Sequence, residues 1–166
     1  MLRYQRMVFA VIARIAGTGA HVEDLAQETF LRALRAFPTF DIGGPARVST
    51  WLITIAARLA LNARQHSARK VVVLPLADAT NVRDAATPET ERARRELGQA
   101  IVRAAADLSD DQRAAFVLAE FHGLSLAEIA DVLETQEATV KTRLFRARAH
   151  LRERLVDFEK DKGDER

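Results

Sequence analysis

The sequence predicts an all-α fold of two small helical bundles joined by a flexible linker. Apolar residues recur at helical spacing in almost every segment of the 166-residue chain, and residues 67–87 lack such a pattern. Several helices also begin at recognisable capping motifs. With 48% apolar and 29% charged residues, the chain has enough apolar side chains for a folded core.

Residues 1–66 predict three helices. The first spans about 4–15 and stops at Gly17 and Gly19, and the second spans about 22–36 and ends at Pro38. The apolar positions of the second helix are Leu25, Phe30, Leu31 and Leu34. Residues 38–48 contain two prolines and a Gly-Gly pair, which indicate a loop, and the third helix runs from about 49 to 65.

Residues 67–87 are interpreted as the linker, because the apolar run 71–74 has no second strand to pair with. The second unit, 88–156, opens at Thr87-Pro88, a cap residue followed by proline at the first helical position. Residues 157–166 are expected to be a fraying tail.

Two capping boxes, Ser109–Gln112 and Ser125–Glu128, mark successive helix starts, and Gly123 separates the helices. The second of these helices is predicted to reach Leu133. A turn at 134–136 then precedes a long helix from about 137 to 155, which is the arrangement of a DNA-binding helix-turn-helix.

The details of this motif favour DNA binding over an ordinary solvated helix pair. Ala130 is small where the two helices cross, and Val140 is apolar on the inner face of the second helix. Glu134 stands where a glycine is common, so we expect a left-handed backbone there at a cost of about 1 kcal/mol.

The long helix is predicted to be amphipathic with basic edges. Its inner face comprises Val140, Leu144, Ala147, Leu151 and Leu155. Its edges carry Lys141, Arg148 and Arg152 on one side and Arg143, Arg146 and His150 on the other, and its outer face carries Thr142, Phe145 and Ala149. Such a helix suits a major groove, because its edges can meet phosphates while the outer face meets bases.

The net charge of +2 hides strong local asymmetry. Residues 1–66 carry +4, residues 109–135 carry −5 and residues 136–155 carry +4. Two basic stretches separated by an acidic one indicate a polyanion as partner, although solvated charged faces are the alternative explanation.

Enzymatic and metal-binding functions are disfavoured. The chain has no cysteine, its histidines at 21, 66, 122 and 150 lack metal-ligand spacing and are interpreted as surface residues, and no phosphate-binding glycine loop occurs. No cofactor, metal or catalytic residue is therefore expected. No apolar run approaches the length of a membrane span, so we predict a soluble, cytoplasmic protein.

Two segments carry a family resemblance. The run VEDLAQETFLRA at 22–33, followed by STWLITIA at 49–56, resembles region 2 of bacterial RNA polymerase sigma factors of the extracytoplasmic-function group. The run LSLAEIA at 124–130, with TVKTRLFRAR at 139–148, is similar to region 4 of the same group. The resemblance implies an alternative sigma factor whose partners are core RNA polymerase (beta-prime and beta subunits), promoter DNA and an anti-sigma factor.

The resemblance also implies three sets of site residues. Polymerase binding is expected at Asp24, Gln27, Glu28 and Arg32. Capture of the melted minus-ten strand is expected at Phe40, Arg47, Trp51, Arg58 and Arg64, with Trp51 more probable as a core residue than as a base-stacking surface. Binding of the minus-thirty-five element is expected at Lys141, Thr142, Phe145, Arg146 and Arg148.

Three features depart from the family pattern, and the first is that a helix usually found before the first helix of region 2 is expected to be missing. Arg58 stands where many members have asparagine, and the loop 38–48 is longer than usual, so promoter preference does not transfer. Two other functions remain open at this stage. One is a decoy that titrates an anti-sigma factor, which the basic helix disfavours, and the other is a repressor that acts without polymerase, which leaves residues 22–33 unexplained.

Overall fold

The computed structural model describes residues 2–44, 47–65, 92, 96, 98, 100, 101 and 103–164, with side chains from 3 to 156. Three helices form the N-terminal unit: α1 (Leu2–Ala16), α2 (His21–Ala36) and α3 (Val48–Gln65), with a 3₁₀ turn at Phe37–Thr39. The C-terminal unit contains α4 (Asp110–Glu120), α5 (Leu126–Val132) and α6 (Glu137–Asp164), preceded by helical residues at 100, 101 and 103–106.

The predicted all-α class is confirmed, and the described part of the chain contains no strand. The predicted linker 67–87, the run 71–74 within it and the predicted helix start at 87–88 lie outside the described residues. The division into units at these boundaries stays a prediction.

Small residues allow the helices of the N-terminal unit to pack closely. The α1 stripe of Val8, Val11 and Ile12 is fully buried, and α1 packs against α3, whose Ala56 is also fully buried. The predicted stop of α1 is confirmed, since Gly17 and Gly19 have φ angles of 91° and 145°, which an L-residue adopts only with strain.

The side of α2 that faces the core differs from the apolar stripe in the sequence. Its buried residues are Val22, Ala26, Thr29 and Ala33. Leu31 and Leu34 are instead 48% and 61% exposed. The small face of α2 packs against α1 and α3, which leaves the two leucines in solvent on the outside of the unit.

Local sequence signals shape the C-terminal unit as predicted. The Ser109 and Ser125 hydroxyls accept hydrogen bonds from the Gln112 and Glu128 amides at 3.3 and 3.2 Å, and both capping boxes are reciprocal. Glu134 has a φ of 50°, so the predicted left-handed backbone is confirmed. Helix α6 continues to Asp164, well beyond the predicted end near 155.

A buried arginine organises the entry to α4. Arg113 is 1% exposed, and its guanidinium donates to the carbonyl oxygens of Ala105, Ala106 and Leu108 at 2.8–3.1 Å. It also contacts the Asp110 carboxylate at 3.2 Å. Desolvation lowers the pKa of Arg113, so these acceptors are what make its burial tolerable.

The two units pack against each other rather than standing apart. Helix α1 contacts α4, while α3 contacts both α4 and α5, and buried residues from both units form one continuous apolar cluster. Arg14 of α1 is itself buried, with its guanidinium carbon 4.5 Å from the centre of the Phe121 ring. This arrangement places the N-terminal arginines next to the helix-turn-helix.

Candidate nucleic-acid interface

The outer face of α6 is open to solvent as the sequence predicts. Lys141, Thr142, Phe145 and Arg146 are all exposed, and Phe145 reaches 72% exposure. Val140, Leu144, Ala147 and Leu151 are buried beneath them, which fixes the rotation of the helix. The Thr142 hydroxyl donates to the Ala138 carbonyl at 3.0 Å, which orients its methyl group.

The cations of α6 divide into free and engaged groups. Within the described residues, Lys141 and Arg146 form no ion pair. Arg148, by contrast, donates to the Glu120 carboxylate at 2.6 and 2.9 Å, and Arg143 pairs with Asp111. One arginine on each basic edge of α6 is therefore neutralised by a carboxylate of α4.

An aromatic cluster stands where the loop 38–48 meets α3. The Phe40 and Trp51 ring centres are 4.7 Å apart, and Phe37 lies 6.4 Å from each of them. Trp51 is half-buried and packs on the core, so it supports the cluster from beneath, whereas Phe37 is 45% exposed. Sequence reasoning missed Phe37, because the residue lies between the predicted end of the second helix and the predicted loop 38–48 and belongs to no motif.

The predicted minus-ten arginines contact the C-terminal unit. Arg58 donates to the backbone carbonyls of Asp131 and Val132 at 2.7 and 3.2 Å, and its guanidinium lies 3.6 Å from the Glu134 carboxylate. Arg64 donates to the Asp110 carboxylate at 2.8 Å. These four contacts all join α3 to the helix-turn-helix unit.

Arg47, just before α3, also lies near the second unit. Hydrogen bonds from the Ser125 backbone and hydroxyl lower the pKa of Glu128, and the positive charge of Arg47 lowers it further. Arg47 is exposed. Arg58 and Arg64 thus donate to oxygens of residues 109–135, while Arg47 acts on Glu128 through its charge.

The outer face of α2 combines polar residues with exposed apolar ones. Asp24 and Gln27 are exposed, and Arg32 donates to the Glu28 carboxylate at 2.6 Å. Leu31 and Leu34 continue the face of Asp24 and Gln27, since they follow at spacings of about one helical turn. Sequence reasoning assigned these leucines to the helix's apolar stripe and therefore missed them as surface residues.

The histidine and acidic side chains that the structure describes form no metal site. No group of three histidine or acidic residues that could hold a metal occurs among the described residues. His122 and His150 are half-buried, with each Nε2 atom shielded from solvent, which corrects the prediction of surface histidines. No helix within the described ranges is long and apolar enough to cross a membrane.

Family models match both units. The Sigma-70 region 2 model matches residues 1–70, and the Sigma-70 region 4 model matches residues 98–151. The chain is 32% identical over 159 residues to the RNA polymerase sigma-H factor of Pseudomonas aeruginosa and to the ECF RNA polymerase sigma-E factor of Escherichia coli K12. Each alignment covers 89% of this chain and 80% of the relative.

Solved structures share the fold over nearly the whole chain. The chain is similar to the sigma factor RpoE in complex with the anti-sigma factor NepR from Bartonella quintana, with a TM-score of 0.66 and 21% identity over 93% of this chain and 92% of that one. It is also similar to CnrH in complex with the cytosolic domain of CnrY, with a TM-score of 0.59 and 26% identity over 94% and 84% of the two chains.

Proposed function

Because the chain belongs to the extracytoplasmic-function group of RNA polymerase sigma factors, we propose that it directs core polymerase to promoters through three separate surfaces. Regions 2 and 4 stand in one chain in the order that an alternative sigma factor requires. The observation that carries the proposal is the pairing of an open basic face on α6 with an exposed polar and apolar face on α2.

The first surface is the outer face of α6, which we assign to the minus-thirty-five element in the major groove. Lys141 and Arg146 are free to contact phosphates or guanine edges, and the exposed Phe145 ring offers an apolar contact for a thymine methyl group. Thr142 lies between them. Contact with DNA would compete with the hydrogen bonds from Arg148 to the Glu120 carboxylate, so we assign Arg148 a smaller contribution to DNA affinity.

The second surface lies on region 2 and is assigned to the melted minus-ten strand. Single-strand capture combines cations with aromatic platforms. Phe40 and Phe37 supply aromatic rings supported by Trp51, and Arg47, Arg58 and Arg64 supply charge. The ring of Phe37 is the most open of the three, which makes it the best candidate for stacking on a base.

The third surface is the outer face of α2, assigned to the polymerase. Asp24, Gln27, Glu28 and Arg32 supply polar contacts. The exposed Leu31 and Leu34 supply apolar area that no described part of the chain covers. A face with apolar residues ringed by polar ones is typical of a protein interface.

We further propose that the chain works in the cytoplasm, where core polymerase acts, and makes no bond itself. An anti-sigma factor is expected as its inhibitory partner. Support comes from two similar structures, one solved with the anti-sigma factor NepR and the other with the cytosolic domain of CnrY. The protein's own contribution is binding and positioning, while the polymerase catalyses RNA synthesis.

Run-off transcription with purified core polymerase tests the assignment. Sequencing of transcript starts after overexpression supplies the promoter for the template. We expect transcripts only when both the chain and the core enzyme are present. Gln27→Arg on α2 should weaken core binding by about tenfold or more. The matched change Gln5→Arg on the exposed part of α1 should leave core binding within about twofold.

The other candidate functions give different results in this assay. Specific duplex binding by the free chain, unchanged by core enzyme and without transcripts, indicates a repressor. Binding to an anti-sigma factor without any binding to core indicates a decoy. Either result refutes the proposed function.

A further inference from the structure

Two carboxylates of α4 lie against α6, the helix that we assign to duplex DNA. Asp111 pairs with Arg143, and the Glu120 carboxylate accepts hydrogen bonds from the Nε and Nη2 atoms of Arg148 at 2.9 and 2.6 Å. A carboxylate beside a DNA-binding helix repels phosphates and also neutralises the cation that it binds. Both effects lower the affinity of α6 for DNA.

The two ion pairs lie on opposite edges of α6. At about 100° per residue, Arg143 and Arg148 lie about 70° on either side of the buried stripe of this helix. Helix α4 packs against α6, and it meets one edge with Asp111 in its first turn and the other edge with Glu120, its last residue. The outer face of α6 between these edges stays open to solvent.

The stability of α4 does not account for Glu120. The C-terminal end of a helix carries partial negative charge, so a carboxylate at the last position is disfavoured there. The pair with Arg148 is also partly open to solvent, with 54% and 40% of the two side chains exposed, and such pairs contribute little to folding. Asp111 lies in the first turn, where the helix dipole favours a carboxylate, so Glu120 gives the cleaner test.

We propose that Glu120 and Asp111 set the strength of the minus-thirty-five contact by keeping Arg148 and Arg143 from binding DNA phosphates. The inference rests on the proposed function in taking α6 as the helix that meets duplex DNA. A guanidinium uses the same N–H donors for a carboxylate and for a phosphate, so each paired arginine is one phosphate contact fewer. Because phosphate contacts carry no sequence information, this limit applies to every duplex alike.

The salt dependence of duplex binding counts the phosphate contacts. The full chain is titrated into a fluorescein-labelled duplex of about 20 base pairs of mixed sequence, and anisotropy is followed between about 50 and about 200 mM salt. Glu120→Gln should steepen the slope of log affinity against log salt concentration by about 0.9, because one more arginine reaches a phosphate. The affinity ratio of variant to wild type should therefore be about threefold larger at the lowest salt concentration than at the highest.

Asp111→Asn gives an independent variant on the other edge of α6. It should steepen the slope by a similar amount, and the double variant should steepen it by about 1.8, because the two arginines then contact separate phosphates. A duplex carrying the promoter identified from transcript starts should gain the same factor as the mixed duplex, within about twofold, since the freed arginines contact phosphates and not bases.

The matched control is Asp107→Asn, which makes the same change in net charge as Glu120→Gln. Asp107 pairs with Arg154 at 2.9 Å, and the exposed fractions of 49% and 54% are close to those of Glu120 and Arg148. Arg154 lies eight residues beyond Arg146, about 12 Å along α6, and so away from the face assigned to DNA. The control should leave the slope unchanged.

Three results overturn the proposal. The first is an equal slope for wild type, Glu120→Gln and Asp111→Asn, including no detectable binding by any of them. The second is a loss of affinity in both variants, because the carboxylates then act as supports of α6. The third is a control that changes the slope as much as Glu120→Gln does, because net charge alone then sets the slope. Thermal melting checks that every variant is folded.

Run-off transcription with core polymerase distinguishes this inference from the proposed function. Steeper slopes in the variants without any transcripts support the role of Glu120 and Asp111 and refute the proposed function. Transcripts with unchanged slopes refute this inference alone.

Discussion

His122 is expected to make the stability of the fold depend on pH. The residue follows α4 at the junction of the two units, and its Nε2 atom is buried without a hydrogen-bond partner among the described residues. Burial, and to a smaller degree the positive charge of Arg14, lowers the pKa of His122 to about 4. In the unfolded chain the pKa of a histidine is about 6.5.

The sign and size of the effect follow from these two values. The folded state favours the neutral form of His122. The contribution of this residue to the free energy of unfolding is therefore fully present above about pH 6.5 and is lost as the pH falls towards 4. Between these values the unfolded chain binds a proton that the folded chain does not. Each pH unit in this range is worth about 1.36 kcal/mol, so lowering the pH from about 7.5 to about 5 should reduce the free energy of unfolding by about 2 kcal/mol.

Urea denaturation at the two pH values measures this loss, with His122→Asn as the comparison. The variant cannot titrate at this position, so its free energy of unfolding should fall by about 2 kcal/mol less than that of the wild type over the same pH change. All other titrating groups are common to both proteins and cancel in the comparison. Equal pH dependence in the two proteins would refute the argument that His122 is held neutral by burial.

Three further changes test separate parts of the structure. Arg113→Met should lower the free energy of unfolding by about 2–4 kcal/mol in urea denaturation, because it leaves buried carbonyls without donors; a loss under 1 kcal/mol would contradict its organising role. Glu134→Gly should be about 1 kcal/mol more stable than Glu134→Ala in thermal melts, since only glycine adopts a φ of 50° without strain. Lys141→Ala should lower the slope of log affinity for a promoter duplex against log salt concentration by about one, because one phosphate contact is lost. An unchanged slope would contradict the assignment of Lys141 to a phosphate.

The features that the sequence predicted correctly are the local ones. Both capping boxes and the left-handed Glu134 depend on residues within a few positions of each other, so the pattern alone specifies them. The inner face of α6 was equally predictable, because its buried stripe keeps one helical period. The end of α6 was not predictable, because no helix stop signal occurs between Leu155 and Gly163.

The features that could not be predicted depend on residues far apart in the chain. Leu31 and Leu34 fit a helical period, but periodicity does not distinguish a core face from a surface that binds another protein. Arg113 is one of many arginines in the sequence, and only the fold shows that carbonyls surround it. The contact of Arg58 with α5 spans more than 70 residues and has no local signature.

Arg58 shows why the location of a charge in the sequence does not settle its role. The same guanidinium suits a phosphate and a helix C-terminus, because both offer closely spaced oxygens with negative charge. In this structure it donates to the carbonyl oxygens of Asp131 and Val132, so the fold and not the position in the sequence decides which oxygens it meets.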